Sequence, residues 1–162
     1  KSYIVDIRPM NEFSACTFSG CSKTKCKSQL IKSLKDSLVE HANIYVAELI
    51  CAGHSNDVWD CIIEFFGKYI HPSHSMSIAV LLHDRMNAFN NIVRRVCSFS
   101  NTLPLRNNSI IRRMFCEIVC VLCFAKQWAP ISNAVVSGIT DEFIAKALER
   151  CKAPHQEFAI KS

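Results

Sequence analysis

The octapeptide CEIVCVLC, residues 116–123, reads either as a metal-ligand set or as one wall of a helical core. Its cysteines carry the CxxxCxxC spacing of radical-SAM iron–sulfur enzymes, where three thiolates hold three irons of a cluster and leave one open to the cofactor. Those enzymes set the cysteines on a loop after a barrel strand, in a much longer chain. Here Ile118, Val119, Val121 and Leu122 fill the intervals with core residues. On a helix this spacing brings the three sulfurs within about 60° of one face. The stretch is therefore read as a helix with a seam of small side chains, and the fold as mostly α.

Similar periodicity organises the flanks. SYIVDI at 2–7 is a short extended candidate. TFSGCSKTKCKSQLIKSLKDSLVEH then leads into a helix with Leu30, Leu34 and Leu38 on one stripe, lysines on the others, and Ser22 or Thr24 as its cap. HANIYVAELICAGH reads as a buried helix closed by Gly53. Ser55 or Asn56 is expected to cap DVWDCIIEFFGKYI, with Asp57 favourable to the dipole in its first turn and Pro72 as its stop. HPSHS is read as a loop. Ser75 or Ser77 then starts a long helix with Leu82, Met86, Phe89, Val93 and Val96 at helical spacing. SNTLPLRN is a second loop, and Asn108 or Ser109 caps IIRRMFCEIVCVLCFAKQW. Beyond Pro130, ISNAVVSGI suggests one short strand near 131–139, and Thr140 caps DEFIAKALERC. The expectation is a single helical domain over residues 1–162, with an extended or loop lead-in at 1–20. A compact bundle of about six helices follows over 22–152 and the start of a further segment at 153–162.

A chain of 162 residues suits one domain and can bury about two-thirds of its unfolded surface. With 49% hydrophobic and only 20% charged residues it is not a disordered sequence. Four glycines and five prolines disfavour a turn-rich all-β fold. The net charge of +5 permits an acidic partner or a phosphate backbone without demanding either. No uncharged stretch reaches the ~20 residues of a membrane span. Ten cysteines matter more, because many lie inside apolar helical patterns. Cys51, Cys61, Cys97, Cys116, Cys120 and Cys123 read as small buried hydrophobes, so a reducing, intracellular compartment is expected. The first residue is Lys1, and the chain is read as a processed product or part of a longer one.

Chemistry-bearing patterns are thin. Cys16, Cys21 and Cys26 are separated by four residues each, unlike the tight pairs of zinc sites, and His41 offers only proximity. His71 and His74 in HPSH lack companion ligands, and SGCSKTKC lacks the glycine and GK[ST] order of a phosphate loop. No nucleophile signature occurs, and Asp57, Asp60 and Glu64 read as a solvated helix face. No enzyme, cofactor or metal is expected. NNIVRRV (90–96) and NNSIIRRM (107–114) look alike but sit at opposite helix ends. Arg94 and Arg95 complement a C-terminal dipole, whereas Arg112 and Arg113 oppose an N-terminal one by ~0.3–1 kcal/mol each. The second pair therefore needs an acidic neighbour or partner. Arg106 adds a planar fork suited to carboxylate or phosphate. Arg106, Arg112 and Arg113, with Lys23, Lys25, Lys27 and Lys32, are the candidate partner- or phosphate-binding residues.

TFSG (17–20) followed by QLIKSL (29–34), AELICAGH (47–54) with Trp59, and KYIH (68–71) form an ordered set of phrases. LRNN (105–108), FCEIVCVLCF (115–124) and KAP (152–154) complete it over most of the chain. Together they resemble a conserved, uncharacterised protein family of large nucleocytoplasmic DNA viruses. HPSHSMSI departs from that family, standing where it has a Gly/Asn/Pro-containing connection. The resemblance implies a viral protein of the infected cell's cytoplasm and supplies no catalytic residues. It also marks LRNN, rather than NNIVRR, as the phrase with a specific task. The expected function is a non-enzymatic helical interaction protein, a virion component or assembly adaptor binding other viral proteins, with aromatics available at Trp59, Phe66 and Trp128. The alternative is an accessory factor of viral replication or transcription that binds nucleic acid. Homo-oligomerisation is left open.

Overall fold

A computed structural model of the chain describes residues 6–96 and 103–128. They belong to the first of two units, Lys1–Pro130 and Ile131–Ser162. The expected strand near 131–139, the helix opened by Thr140, and Cys97 and Cys151 lie outside the described residues, and the single-domain reading extends beyond them. Six helices form within them: α1 (Lys23–Lys35), α2 (Val39–Cys51), α3 (Ser55–Tyr69), α4 (Pro72–Val96), α5 (Leu103–Arg106) and α6 (Ser109–Phe124). The lead-in to α1 contains a 3-10 turn at Met10–Phe13. Among these residues there is no strand, only isolated antiparallel bridges between Cys16 and Ser22 and between Ile70 and Gln127. The described residues are mostly α, a compact helical bundle. No helix among the described residues is long and apolar enough to cross a membrane.

The most apolar helix takes the centre. α2 touches α1, α3 and α6, and buries Ala42, Val46, Leu49 and Ile50. It ends as Gly53 allows. With φ at +91°, the Gly53 amide donates to Ile50 O (3.0 Å) and the His54 amide to Leu49 O (2.9 Å). That double bond pattern is a Schellman close. α1 ends the same way on Ser37, at φ +55°, with Leu38 N donating to Ser33 O. Leu38 is therefore outside the helix and largely exposed, which corrects the Leu30–Leu34–Leu38 stripe.

Other boundaries also moved. Because α2 turns directly into α3, Ser55 is the first helical residue and His54 precedes it, so neither Ser55 nor Asn56 caps the helix. α4 starts at Pro72, not at Ser75 or Ser77. Proline suits a first helical position because it needs no acceptor for an amide proton. The His71 ring accepts from the Ser73 amide at 3.1 Å. The SNTLPLRN loop contains the single turn α5. α6 stops at Phe124 and not at Trp128, because residues 126–128 pair with 69–71: His71 N donates to Lys126 O and Trp128 N to Tyr69 O. The expected caps Ser22 and Asn108 are both in place. The Asn108 carboxamide accepts from the amides of Ile110 (2.9 Å) and Ile111 (3.3 Å).

Trp59 is a core residue, not an exposed one. It stands edge-on to Phe115 of α6 (5.1 Å) and Phe89 of α4 (6.0 Å), which meet each other at 5.7 Å. This aromatic triad joins three helices. We predict that Phe115→Ala costs about 3–5 kcal/mol, whereas Met76→Ala, at a position 76% exposed, changes stability by less than about 0.5 kcal/mol. Urea denaturation of the two variants measures the difference, and equal losses would refute the triad's role.

Candidate functional site

Three of the seven basic candidates have an internal ionic or carbonyl partner that a purely local reading could not supply, and a fourth is wholly buried. The buried one is Arg106, only 1% exposed. Its Nε donates to Cys51 O (2.7 Å) and its Nη1 to Arg8 O (2.6 Å). Its Nη2 lies 3.3 Å from Asp6 Oδ1, a charge contact without hydrogen-bond geometry. The guanidinium carbon sits 4.4 Å from the Phe13 ring centre. The guanidinium is engaged inside the fold, by hydrogen bonds to two carbonyls and by a charge contact with Asp6, and this corrects the assignment of Arg106 to an external partner. Asn107 continues the clamp: its Nδ2 donates to Asp6 O and its Oδ1 accepts from Asp6 N, both at 3.1 Å. With Asn108 as cap, every polar residue of LRNN has a structural task.

Arg112 resolves the dipole conflict. It donates to Arg106 O at 3.1 Å, so an arginine near the start of α6 stands at the end of α5, where a cation belongs. Arg113 is exposed and has no partner among the described residues. Lys23 and Lys27 both reach Asp57, in the first turn of α3, at 3.4 and 2.7 Å. Burial pushes the Asp57 carboxyl up, but the two ammonium groups outweigh it and hold the group below its ordinary range. Lys25 and Lys32 remain exposed and unpaired among the described residues. The structure thus does not bring the seven into one patch.

What it does bring together is the TFSG loop and α2. Glu48 Oε2 accepts from Thr17 Oγ1 (2.8 Å) and Ser19 N (2.9 Å), and Oε1 accepts from Ser19 Oγ (2.7 Å). Burial raises the Glu48 carboxyl, but these donors prevail and lower it. Gly20, at φ +82°, lets the loop turn so that Thr17 N reaches Cys21 O at 2.8 Å. Between this loop, α1 and α2 lies a cleft of about 490 Å³, lined by Cys21, Lys25, Cys26, Gln29, Tyr45 and Glu48 among others. Its size suits a small ligand.

The fold brings His54 beside Cys16, but not in catalytic geometry. His54 Nε2 is 2.9 Å from Cys16 O, which can only accept, so that nitrogen carries the proton and is not a free base. The Cys16 thiol turns instead to Glu12 O at 3.1 Å. Among the described residues no disulfide forms, and no group of three or more His, Cys, Asp or Glu side chains is placed to hold a metal ion. Cys51, Cys61 and Cys123 are buried, as is Cys26, which its spacing had not marked as core. Burial pushes the Cys26 thiol up to about 12 and those of Cys61 and Cys123 to about 11. Cys116 and Cys120 are only half-buried, at the edge of the α6 seam.

The clamp generates two predictions. Arg106→Lys keeps the charge but cannot reach both carbonyls, and should cost about 2–4 kcal/mol in chemical denaturation. A loss within experimental error would show the clamp to be incidental. Asp6 is held at about 2, chiefly by the hydrogen bonds of Arg8, whose Nε and Nη2 reach Oδ2 at 2.9 and 2.6 Å. A lowered carboxyl stabilises the fold above its unfolded value of about 4, and that contribution is lost as pH falls through the folded value. Stability should therefore decline between roughly pH 4 and pH 2, and Asp6→Asn should flatten this limb in acid titration of the unfolding midpoint. An unchanged limb would remove Asp6 from the account.

No family model, curated protein or solved structure matches the chain.

Proposed function

We propose that the chain is a non-enzymatic helical interaction protein of a large DNA virus, a virion component or assembly adaptor that works on other viral proteins in the infected cell's cytoplasm. The observation that carries this reading over nucleic-acid binding is the internal commitment of the basic residues. Arg106 is occupied by Asp6 and two carbonyls, Lys23 and Lys27 by Asp57, and Arg112 by a carbonyl. Only Lys25, Lys32 and Arg113 of the seven are left for a phosphate backbone. Affinity for such a backbone grows with the number of phosphates neutralised, so three remaining cations in place of seven support less of it.

Apolar surface is better supplied. Between α4 and α6 runs a groove of about 460 Å³, floored by Ile78, Cys120 and Ala125. The two helices beside it expose Met76 (76%), Val80 (53%) and Phe124 (80%), and Trp128 follows α6 at 41% exposure. Large exposed side chains in this density favour a protein surface as partner.

The accessory-factor reading is kept as the competing outcome. Titration of labelled duplex DNA should give no saturable binding at low salt. Salt-dependent binding that disappears in the Lys25→Glu/Lys32→Glu/Arg113→Glu triple variant would reverse the assignment. Immunoblotting of purified virus particles is the positive arm, with the protein expected in stoichiometric amounts.

A further inference from the structure

We infer that His71 and His74 form an acid-released clasp, which holds the start of α4 against the segment following α6 only while both rings are neutral. The proposal is independent of the interaction reading above.

The two rings use the same atom in the same way. His71 precedes Pro72, the first residue of α4, and its Nδ1 accepts from the Ser73 amide at 3.1 Å, with the Ser73 hydroxyl at 2.8 Å. It stands in for the side-chain oxygen that usually caps a helix. His74 lies in the first turn, and its Nδ1 accepts from the Lys126 amide at 3.1 Å. A backbone amide can only donate, so each Nδ1 keeps its lone pair and the ring proton sits on Nε2. A second proton would occupy Nδ1 and set N–H against N–H. Protonation therefore removes one bond that caps α4 and one that fastens residue 126.

The surroundings do not compensate the new charge. The first turn of α4 holds no acidic residue, and the positive end of the helix dipole disfavours a cation there. On the adjoining elements the titratable groups are Lys68 and Tyr69 at the end of α3, Lys35 of α1 over the Tyr69 ring, Lys126, and the Cys120 thiol, which lines the same groove as His74. The last carboxylate of α3, Glu64, is held by Lys68 at 2.7 Å. The rings are accessible, His71 half-buried and His74 exposed, so protons reach them in the folded state.

The sign follows from the geometry. The folded chain resists a proton that the unfolded chain accepts, so the clasp stabilises in neutral solution and is lost as pH falls from about 7.5 to about 5. The backbone bonds from His71 N to Lys126 O (2.9 Å) and from Trp128 N to Tyr69 O (3.0 Å) have no titrating partner, which keeps the opening local. What loosens is the first turn of α4, beside the groove that Met76 and Val80 flank. Other places in the fold carry less. The cleft beside the TFSG loop sets one unpaired lysine against one carboxylate, and in the α1–α3 groove Lys23 and Lys27 face Asp57. Nothing in the structure shows what covers the apolar groove between α4 and α6.

Nitrogen-15 NMR of the whole chain at pH 7.5 should find both rings as the Nε2–H tautomer. On titration to pH 5, the Ser73 and Lys126 amide resonances should move with the midpoints of the His71 and His74 rings. Urea unfolding at the two pH values supplies the energetic arm, with His71→Asn/His74→Asn as the variant that lacks both titrating rings. The folded-to-unfolded ratio should fall by about tenfold more in the wild-type chain, the loss expected for two accessible hydrogen bonds. Unchanged helicity by circular dichroism verifies that the variant folds. An Nδ1–H tautomer at either ring, amides indifferent to the ring titration, or equal pH dependence of the two proteins would each overturn the assignment.

Discussion

The guanidinium of Arg106 is the joint on which the rest of the described structure turns. A charged group with 1% exposure is stable only if its surroundings replace the water it has lost. Three separate parts of the chain supply that replacement: the Asp6 carboxylate and Arg8 carbonyl, the Cys51 carbonyl, and the Phe13 ring. Cys51 is the last residue of α2, so its carbonyl is one of the groups a helix end leaves unpaired. Arg106 thus closes α2 while pinning the N-terminal segment. Gly53 makes this possible: a Cβ there would lie 2.5 Å from Met10 Sδ and 3.3 Å from Arg106 Cδ. The Schellman glycine leaves the space in which the two segments meet.

A second consequence is electrostatic. A net charge of +5 leads one to expect a basic face. Instead, α1 spends two lysines on Asp57 and α5 spends its arginine on Asp6. Glu48 is consumed by the TFSG loop in the same way. These pairs tie α1 to α3 and the loop to α2. Their electrostatic consequence is that fewer of these cations stand unpaired at the surface.

The cysteines follow the logic of packing. Cys26, Cys51, Cys61 and Cys123 lie inside the core, where burial keeps the thiols protonated and disfavours the thiolate that metal binding and disulfide exchange require. In CEIVCVLC, Ile118, Val119 and Leu122 are buried with Cys123, while Cys116 and Cys120 mark the rim of the seam. The octapeptide is a helix wall.

Local interactions were legible without coordinates. The helical period of α1 to α4 and α6, the Asn108 cap and the Gly53 close all depend on residues within a turn or two of one another, and the sequence alone determined them. The LRNN phrase was marked as purposeful, though its purpose was not. Only the tertiary structure decided that Arg106 faces Asp6, a hundred positions away, that Trp59 meets Phe89 and Phe115, and that Lys23 and Lys27 converge on Asp57. It also decided where α4 begins and α6 stops, because residues 69–71 and 126–128 pair with each other. The reason is common to all of these. A helix is specified by neighbours along the chain, whereas the partner of a charge or the face of a ring is specified by whatever the packed fold brings beside it.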